Sequence, residues 1–122
     1  MDGSARSLLT GIYRAAVASV DPSRLVRAAI SADSGRIRLR AGAAGEAIPR
    51  ARLDRIFLVG GGKAARAMAR EAVAVLRGRV AGGAIAVPKG EGGSLGAVRL
   101  IESGHPLPDE GSREAAQAML DA

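Results

Sequence analysis

Apolar positions along the chain fall into helix-spaced stripes and short unbroken runs. Leu8, Leu9, Ile12, Ala15, Ala16 and Val20 follow the i, i+3, i+4, i+7 spacing of an amphipathic helix, which predicts a helix over Ser7–Val20. Asp21-Pro22 interrupts it, with Asp21 suited to an N-cap and Pro22 to the first helical position. A second short helix is therefore expected from Pro22 to Ile30, with Leu25, Val26, Ala29 and Ile30 inward. Ser34-Gly35 signals a turn, after which Ile37 and Leu39 alternate with Arg36, Arg38 and Arg40 as in a half-exposed strand. Ala41 to Pro49 reads as loop.

The clearest unit follows. Ile56-Phe57-Leu58-Val59 is wholly apolar and leads into Gly60-Gly61-Gly62, a helical stretch from Lys63 to Arg77, and a second apolar run, Ala84-Ile85-Ala86-Val87. Strand, glycine turn, helix and strand in about thirty residues make a βαβ unit. Strands without polar alternation are buried on both faces, so the expected fold is a three-layer α/β/α sandwich around a mainly parallel sheet. Pro88 to Gly96 is expected as a polar, glycine-rich connection to a further strand, Val98-Arg99-Leu100-Ile101, followed by the loop Ser103–Asp109. A last helix starts near Glu110 and, with Ala115, Ala116, Met119 and Leu120 as its stripe, is expected to be still running at Ala122. Only three strands read as securely parallel, so the sheet is expected to be incomplete within this chain.

Composition narrows the function classes. A chain of 122 residues, 48% apolar and 25% charged, has the makeup of one globular domain. No apolar run is long enough for a bilayer and the start, Met1-Asp2-Gly3-Ser4, lacks a leader's basic flank and apolar stretch, so a cytoplasmic protein with no membrane partner is expected. Having no cysteine rules out disulfides and thiolate chemistry, and a single histidine rules out a two-histidine zinc site within the chain. The net charge of +6 comes almost wholly from arginine, Lys63 and Lys89 being the lysines. These arginines are dispersed and Tyr13 and Phe57 are the only aromatics, so there is neither a basic block nor a stacking platform for nucleic acid. The codon bias of a GC-rich genome accounts for the arginine without an anionic partner.

Candidate chemistry gathers at two loops. Gly60, Gly61, Gly62 and Lys63 lie where a strand gives way to a helix, so backbone N–H groups and the positive helix end are expected to converge on a phosphate or carboxylate. A Walker A loop is ruled out, because Phe57 stands where its first glycine belongs and Ala64 where its Ser or Thr belongs. The dinucleotide fingerprint is met literally by Gly60, Gly62 and Ala65, but Pro88 and Lys89 follow the second strand where an acid should hold the ribose. Lys63 in a helix's first turn would oppose the macrodipole with no neighbouring carboxylate, a departure from local preference of the kind that gathers at sites. Arg66, one turn on, reads as a solvated helix face. Gly104-His105-Pro106-Leu107-Pro108-Asp109 follows a strand's carboxyl end, the edge where open α/β sheets bind ligands. His105 reads equally as a substrate contact or as a loop residue, Asp109 rather as the N-cap of the last helix, and Lys89 as a second amine facing the same anion as Lys63.

Taken together, Val59-Gly60-Gly61-Gly62-Lys63-Ala64, Ala86-Val87-Pro88-Lys89-Gly90 and Glu102-Ser103-Gly104-His105-Pro106-Leu107-Pro108-Asp109, with Val20-Asp21-Pro22 upstream, resemble the class II glycerate 2-kinases, often labelled hydroxypyruvate reductases. The resemblance covers nearly the whole chain. It implies ATP-dependent phosphorylation of D-glycerate at its 2-hydroxyl, with Mg²⁺ accompanying ATP, and it places the family's active-site lysine on Lys63, on either the glycerate carboxylate or the transferred phosphoryl group. The implied substrate- or nucleotide-binding positions are Gly60, Gly61, Gly62, Lys89, His105 and Asp109. Residues 1–122 would form the N-terminal part of the kinase α/β domain. The family's later Gly/Ser-rich loop, a further active-site arginine, the Mg²⁺ ligands and the C-terminal domain would belong to the remainder of the same polypeptide. Two other readings stand beside it: a fragment of an NAD(P)-dependent hydroxypyruvate reductase, and a non-catalytic anion-binding module.

Overall fold

A computed structural model of the chain describes residues 3–41, 44–49, 53 and 55–122. Met1 and Asp2, on which the reading of the chain start rests, and residues 42 and 43 of the expected Ala41–Pro49 loop lie outside the described residues.

Helices α1 (Gly3–Ser19) and α2 (Pro22–Ala29) form the expected pair. Asp21 caps α2 by accepting the Arg24 N–H at 2.9 Å, with Pro22 opening the helix. Their burial differs from expectation. None of α1 is buried, and in α2 only Val26 is, while Leu25 stays exposed. Ile30 leaves the helix to begin β1 (Ile30–Ala32), because its backbone extends into an antiparallel ladder with β2 (Arg36–Ala41). The Ser34-Gly35 turn forms as expected, the Asp33 carboxylate accepting the N–H groups of Gly35 and Arg36, each at 2.8 Å.

β2 pairs in turn with β3 (Ala44–Pro49), so most of the segment expected as loop is a strand. Ala44-Gly45-Glu46-Ala47 has no β-branched residue to announce it. Pairing of Ile37 with Ile48 supplies what local preference lacks.

The main sheet has the order β4-β5-β7-β6, in which β4 (Ile56–Gly61), β5 (Val80–Val87) and β7 (Val98–Glu102) are parallel and β6 (Gly93–Leu95) runs antiparallel on β7. β5 starts four residues earlier than the apolar run suggested. Its Gly82-Gly83 looks like a turn, but a Cβ on Gly83 would lie 2.0 Å from the Leu58 carbonyl oxygen, so glycine here permits close strand approach at φ +138°. β6 falls inside the expected connection Pro88–Gly96, and Gly96-Ala97 joins it to β7 as a tight hairpin.

Helix α3 (Ala65–Leu76) covers one face of this sheet, Ala65, Ala69 and Val73 packing on Leu58, Ile85, Val87, Val98 and Leu100. Helix α4 (Glu110–Leu120) covers the other, Ala115, Ala118 and Met119 packing on Ala84, Ala86 and Ile101. The result is the expected three-layer α/β/α arrangement with a mainly parallel sheet. Val87 and Val98, the largest side chains sealed from solvent, sit at its centre. Burial on both faces holds for β5 and β7 but not for β4: α4 packs on β5 and β7, which leaves Phe57 37% and Val59 55% exposed. α4 also ends sooner than expected, its last turn closed by the Asp121 N–H donating to the Gln117 carbonyl at 3.0 Å.

Candidate functional site

Parallel strands deliver their carboxyl ends to one edge, and the singled-out residues meet there. Gly60 and Gly61 belong to β4 itself, paired with Ile85 and Ala86. Their glycines differ in necessity. A Cβ on Gly61 would come 3.1 Å from the Ala86 Cβ, whereas one on Gly60 would meet nothing within 4 Å. The turn proper is Gly62, at φ +123°, which donates its N–H to the Ala86 carbonyl and accepts the Ala65 N–H at 3.0 Å. The Gly62 N–H, one of those expected to face an anion, is thus spent within the fold, as is the Ala65 N–H that follows it.

Lys63 precedes Ala64, the α3 N-cap, so it lies outside the helix and not in its first turn. The cause is the Gly62 turn, which carries the chain on past β4 before helical geometry begins. Ala64 offers no side-chain cap, so the N-terminal end of α3 keeps its partial positive charge beside Lys63. Among the described residues, Lys63 has no carboxylate partner.

Two hollows share Gly62 and Lys63. The larger, about 480 Å³, is an apolar groove between β4 and α3, lined by Leu58, Val59, Met68 and Ala72 and also by Val26 and Ile30. The smaller, about 200 Å³, is walled by the three strand ends: Gly62 and Lys63 after β4, Val87 and Pro88 after β5, Ser103 to His105 after β7. The β5 and β7 walls are stitched together by the Ser103 N–H donating to the Val87 carbonyl at 2.9 Å.

His105 is exposed on the rim of this smaller cleft, and its peptide bond to Pro106 is cis. Asp109 performs the capping expected of it, forming with Ser112 a capping box at the start of α4. It does more: it accepts the Gly104 N–H at 2.9 Å and pairs with Lys89 Nζ at 2.7 Å. Lys89 is therefore committed to a carboxylate, unlike the free second amine that the sequence suggests. Its hydrogen bond to Asp109 raises its pKa above the ordinary lysine value, and the same bond holds the Asp109 carboxyl well below the usual carboxylate range. Arg66 lies on the exposed face of α3 as expected, and its guanidinium also donates to the Glu91 carbonyl at 2.7 Å, which ties α3 to the loop after β5.

The sequence alone does not mark Ser103 and Pro88 as cleft walls or Val26 and Ile30 as lining of the groove. The first two could have been found from their place directly after a strand; the other two carry no such signal, because the packing of α2 against α3 brings them there. Among the described residues, no group of three His, Asp or Glu side chains is placed to hold a metal ion, and no helix is long and apolar enough to cross a membrane.

Comparison with known proteins sets this geometry in a family. Residues 8–122 match the profile of a domain of unknown function, DUF4147. The chain is similar to a protein of Thermotoga maritima named D-glycerate 2-kinase, 35% identical over 77 residues, which span 62% of this chain and 18% of that protein. It is similar over 99% of its length to a protein of Agrobacterium vitis provisionally named hydroxypyruvate reductase, at 31% identity and 24% of the relative's length. Among solved structures, the PH0495 protein of Pyrococcus horikoshii OT3 superposes with a TM-score of 0.78 at 29% identity, over 99% of this chain and 26% of that one. The chain thus spans about a quarter or less of these relatives.

Proposed function

The chain belongs to the DUF4147 family, and from that membership we propose that it forms one wall of the active site of an ATP-dependent D-glycerate 2-kinase, an enzyme whose other wall lies in the remainder of the polypeptide. The observation that carries this reading is the position of Lys63: a cation with no carboxylate partner among the described residues, at the uncapped start of α3, on the boundary between an apolar groove and a small cleft.

In the proposed reaction, the 2-hydroxyl oxygen of D-glycerate forms a bond to the γ-phosphorus of ATP, the bond from that phosphorus to the ADP oxygen breaks, and the hydroxyl proton is released. Such transfers depend on positioning and on neutralising charge spread over the moving group, with little covalent work for the protein. An amine beside the positive end of a helix supplies charge for that neutralisation. The described residues offer no cluster suited to Mg²⁺, so no step is assigned to a metal on this segment. A cytoplasmic location and the absence of nucleic-acid and membrane partners belong to the same proposal.

The test is reaction class. The encoded protein, given ATP and D-glycerate, is expected to produce ADP and 2-phosphoglycerate, and given NADH and hydroxypyruvate it is expected to leave NADH absorbance unchanged. Consumption of NADH without phosphorylation would transfer the protein to the reductase reading, which the Gly60, Gly62, Ala65 spacing between β4 and α3 otherwise favours. Phosphate binding with neither reaction would leave an anion-binding module.

A further inference from the structure

Asp109 makes more bonds than a helix cap requires. Capping α4 needs only the Ser112 N–H, which Oδ1 accepts at 3.1 Å. The same oxygen also accepts the Gly104 N–H at 2.9 Å, while Oδ2 faces Lys89 Nζ at 2.7 Å. One carboxylate thereby fastens the exit of β7, the start of α4 and the exit of β5. Gly104 is fitted closely to this arrangement, since a Cβ there would lie 2.5 Å from the Leu107 carbonyl oxygen and 3.0 Å from the Asp109 Cγ. The segment so held, Ser103 to His105, is the wall of the 200 Å³ cleft that stands across from Lys63.

We propose that Lys89 and Asp109 are positioning residues, a latch that fixes the Ser103–His105 wall against Pro88 and so holds the small cleft in the shape that receives a three-carbon hydroxy acid. This rests on the kinase reading for the identity of the acid. The latch acts through the wall and touches no substrate, and among the described residues that line the cleft it leaves Lys63 as the lysine without a carboxylate partner. The smaller cleft is then the acid's subsite, and loosening the latch weakens its hold on the acid more than the rate of transfer.

Lys89→Gln tests this, because it removes the ion pair and leaves the Asp109–Ser112 cap in place. In the encoded protein its KM for D-glycerate is expected to rise about tenfold, with KM for ATP and kcat within about twofold of the parent and the melting temperature nearly unchanged. Lys89→Arg, which can still reach the carboxylate, is expected to restore KM. Arg99→Ala is the control, since Arg99 also joins β7 to α4, through Glu114 at 3.0 Å, but away from the cleft. An unaltered KM in Lys89→Gln, or an equal rise in Arg99→Ala, would overturn the latch while leaving the kinase reading intact. If the parent protein phosphorylates no D-glycerate, the kinase reading fails, and the latch is judged by hydrogen exchange at the Gly104 amide. Exchange about tenfold faster in Lys89→Gln would uphold it, and unchanged exchange would overturn it.

Discussion

The Arg27 guanidinium meets the Glu71 carboxylate with two nitrogens, Nε on Oε1 and Nη2 on Oε2, the second at 3.2 Å. Glu71 is only 7% exposed, so α3 carries an acid turned inward whose charge is answered from α2. The pair raises the Arg27 pKa above its ordinary value, chiefly through that hydrogen bond. It also joins α2 to α3, beside the apolar groove that Val26 and Ile30 help to line.

Breaking one side of this pair is worse than replacing both, because a lone partner leaves a carboxylate without compensation. Arg27→Met is expected to lower the melting temperature by several degrees, and Arg27→Met with Glu71→Leu to recover most of the loss. Calorimetry of the two variants checks it; equal loss in both would show that the ion pair itself, not the orphaned acid, matters.

Two glycines separate structural need from site need. Gly83→Ala forces a Cβ into the Leu58 backbone at a positive φ and is expected to destabilise by about 2 kcal/mol or more. Gly60→Ala meets open space in a strand and is expected to change stability by less than about 0.5 kcal/mol. Denaturant unfolding measures both. A strongly destabilised Gly60→Ala would contradict the description of β4.

Legibility in the sequence followed the kind of force involved. The βαβ unit is readable because its apolar runs, Ile56–Val59 and Ala84–Val87, flank a glycine turn and a helical stripe, although only β5 of the two strands is covered on both faces, and Asp21 and Asp109 are readable as caps because capping is local chemistry. β3 and β6 were not readable: Ala44-Gly45-Glu46-Ala47 and Gly93-Ser94-Leu95 become strands through their partners β2 and β7. The α1 stripe is legible as helical, but periodicity states which face is apolar and not what covers it. At the site, strand-end position located Lys63 and His105. The commitment of Lys89 to Asp109 needed the tertiary fold, since twenty residues separate them in the chain.

Acid is expected to weaken the hairpin turn. The Gly35 N–H, then Arg38 and the Arg36 N–H, lower the Asp33 pKa from 3.8 to about 2. A carboxyl with a depressed folded-state pKa adds stability that is complete above its unfolded value and is lost as pH falls through the folded one. The turn's contribution is therefore expected to be constant above about pH 4 and to decline toward about pH 2. An NMR titration of the Asp33 carboxyl reads this directly, and a midpoint at the ordinary value of 3.8 would contradict it.

Lys63 is proposed to supply the charge on which the chemistry depends, and Lys63→Ala in the encoded protein tests this most directly. The substitution removes a cation from beside a positive helix end, so stability is expected to be unchanged or raised by a few tenths of a kcal/mol. Turnover of ATP with D-glycerate is expected to fall by about 10²- to 10³-fold. Arg70→Ala, on the exposed surface of α3, is the control and is expected to retain full activity. Lost turnover in a normally melting Lys63→Ala protein is the predicted result; near-normal kcat/KM for D-glycerate would make Lys63 a surface lysine and contradict the site.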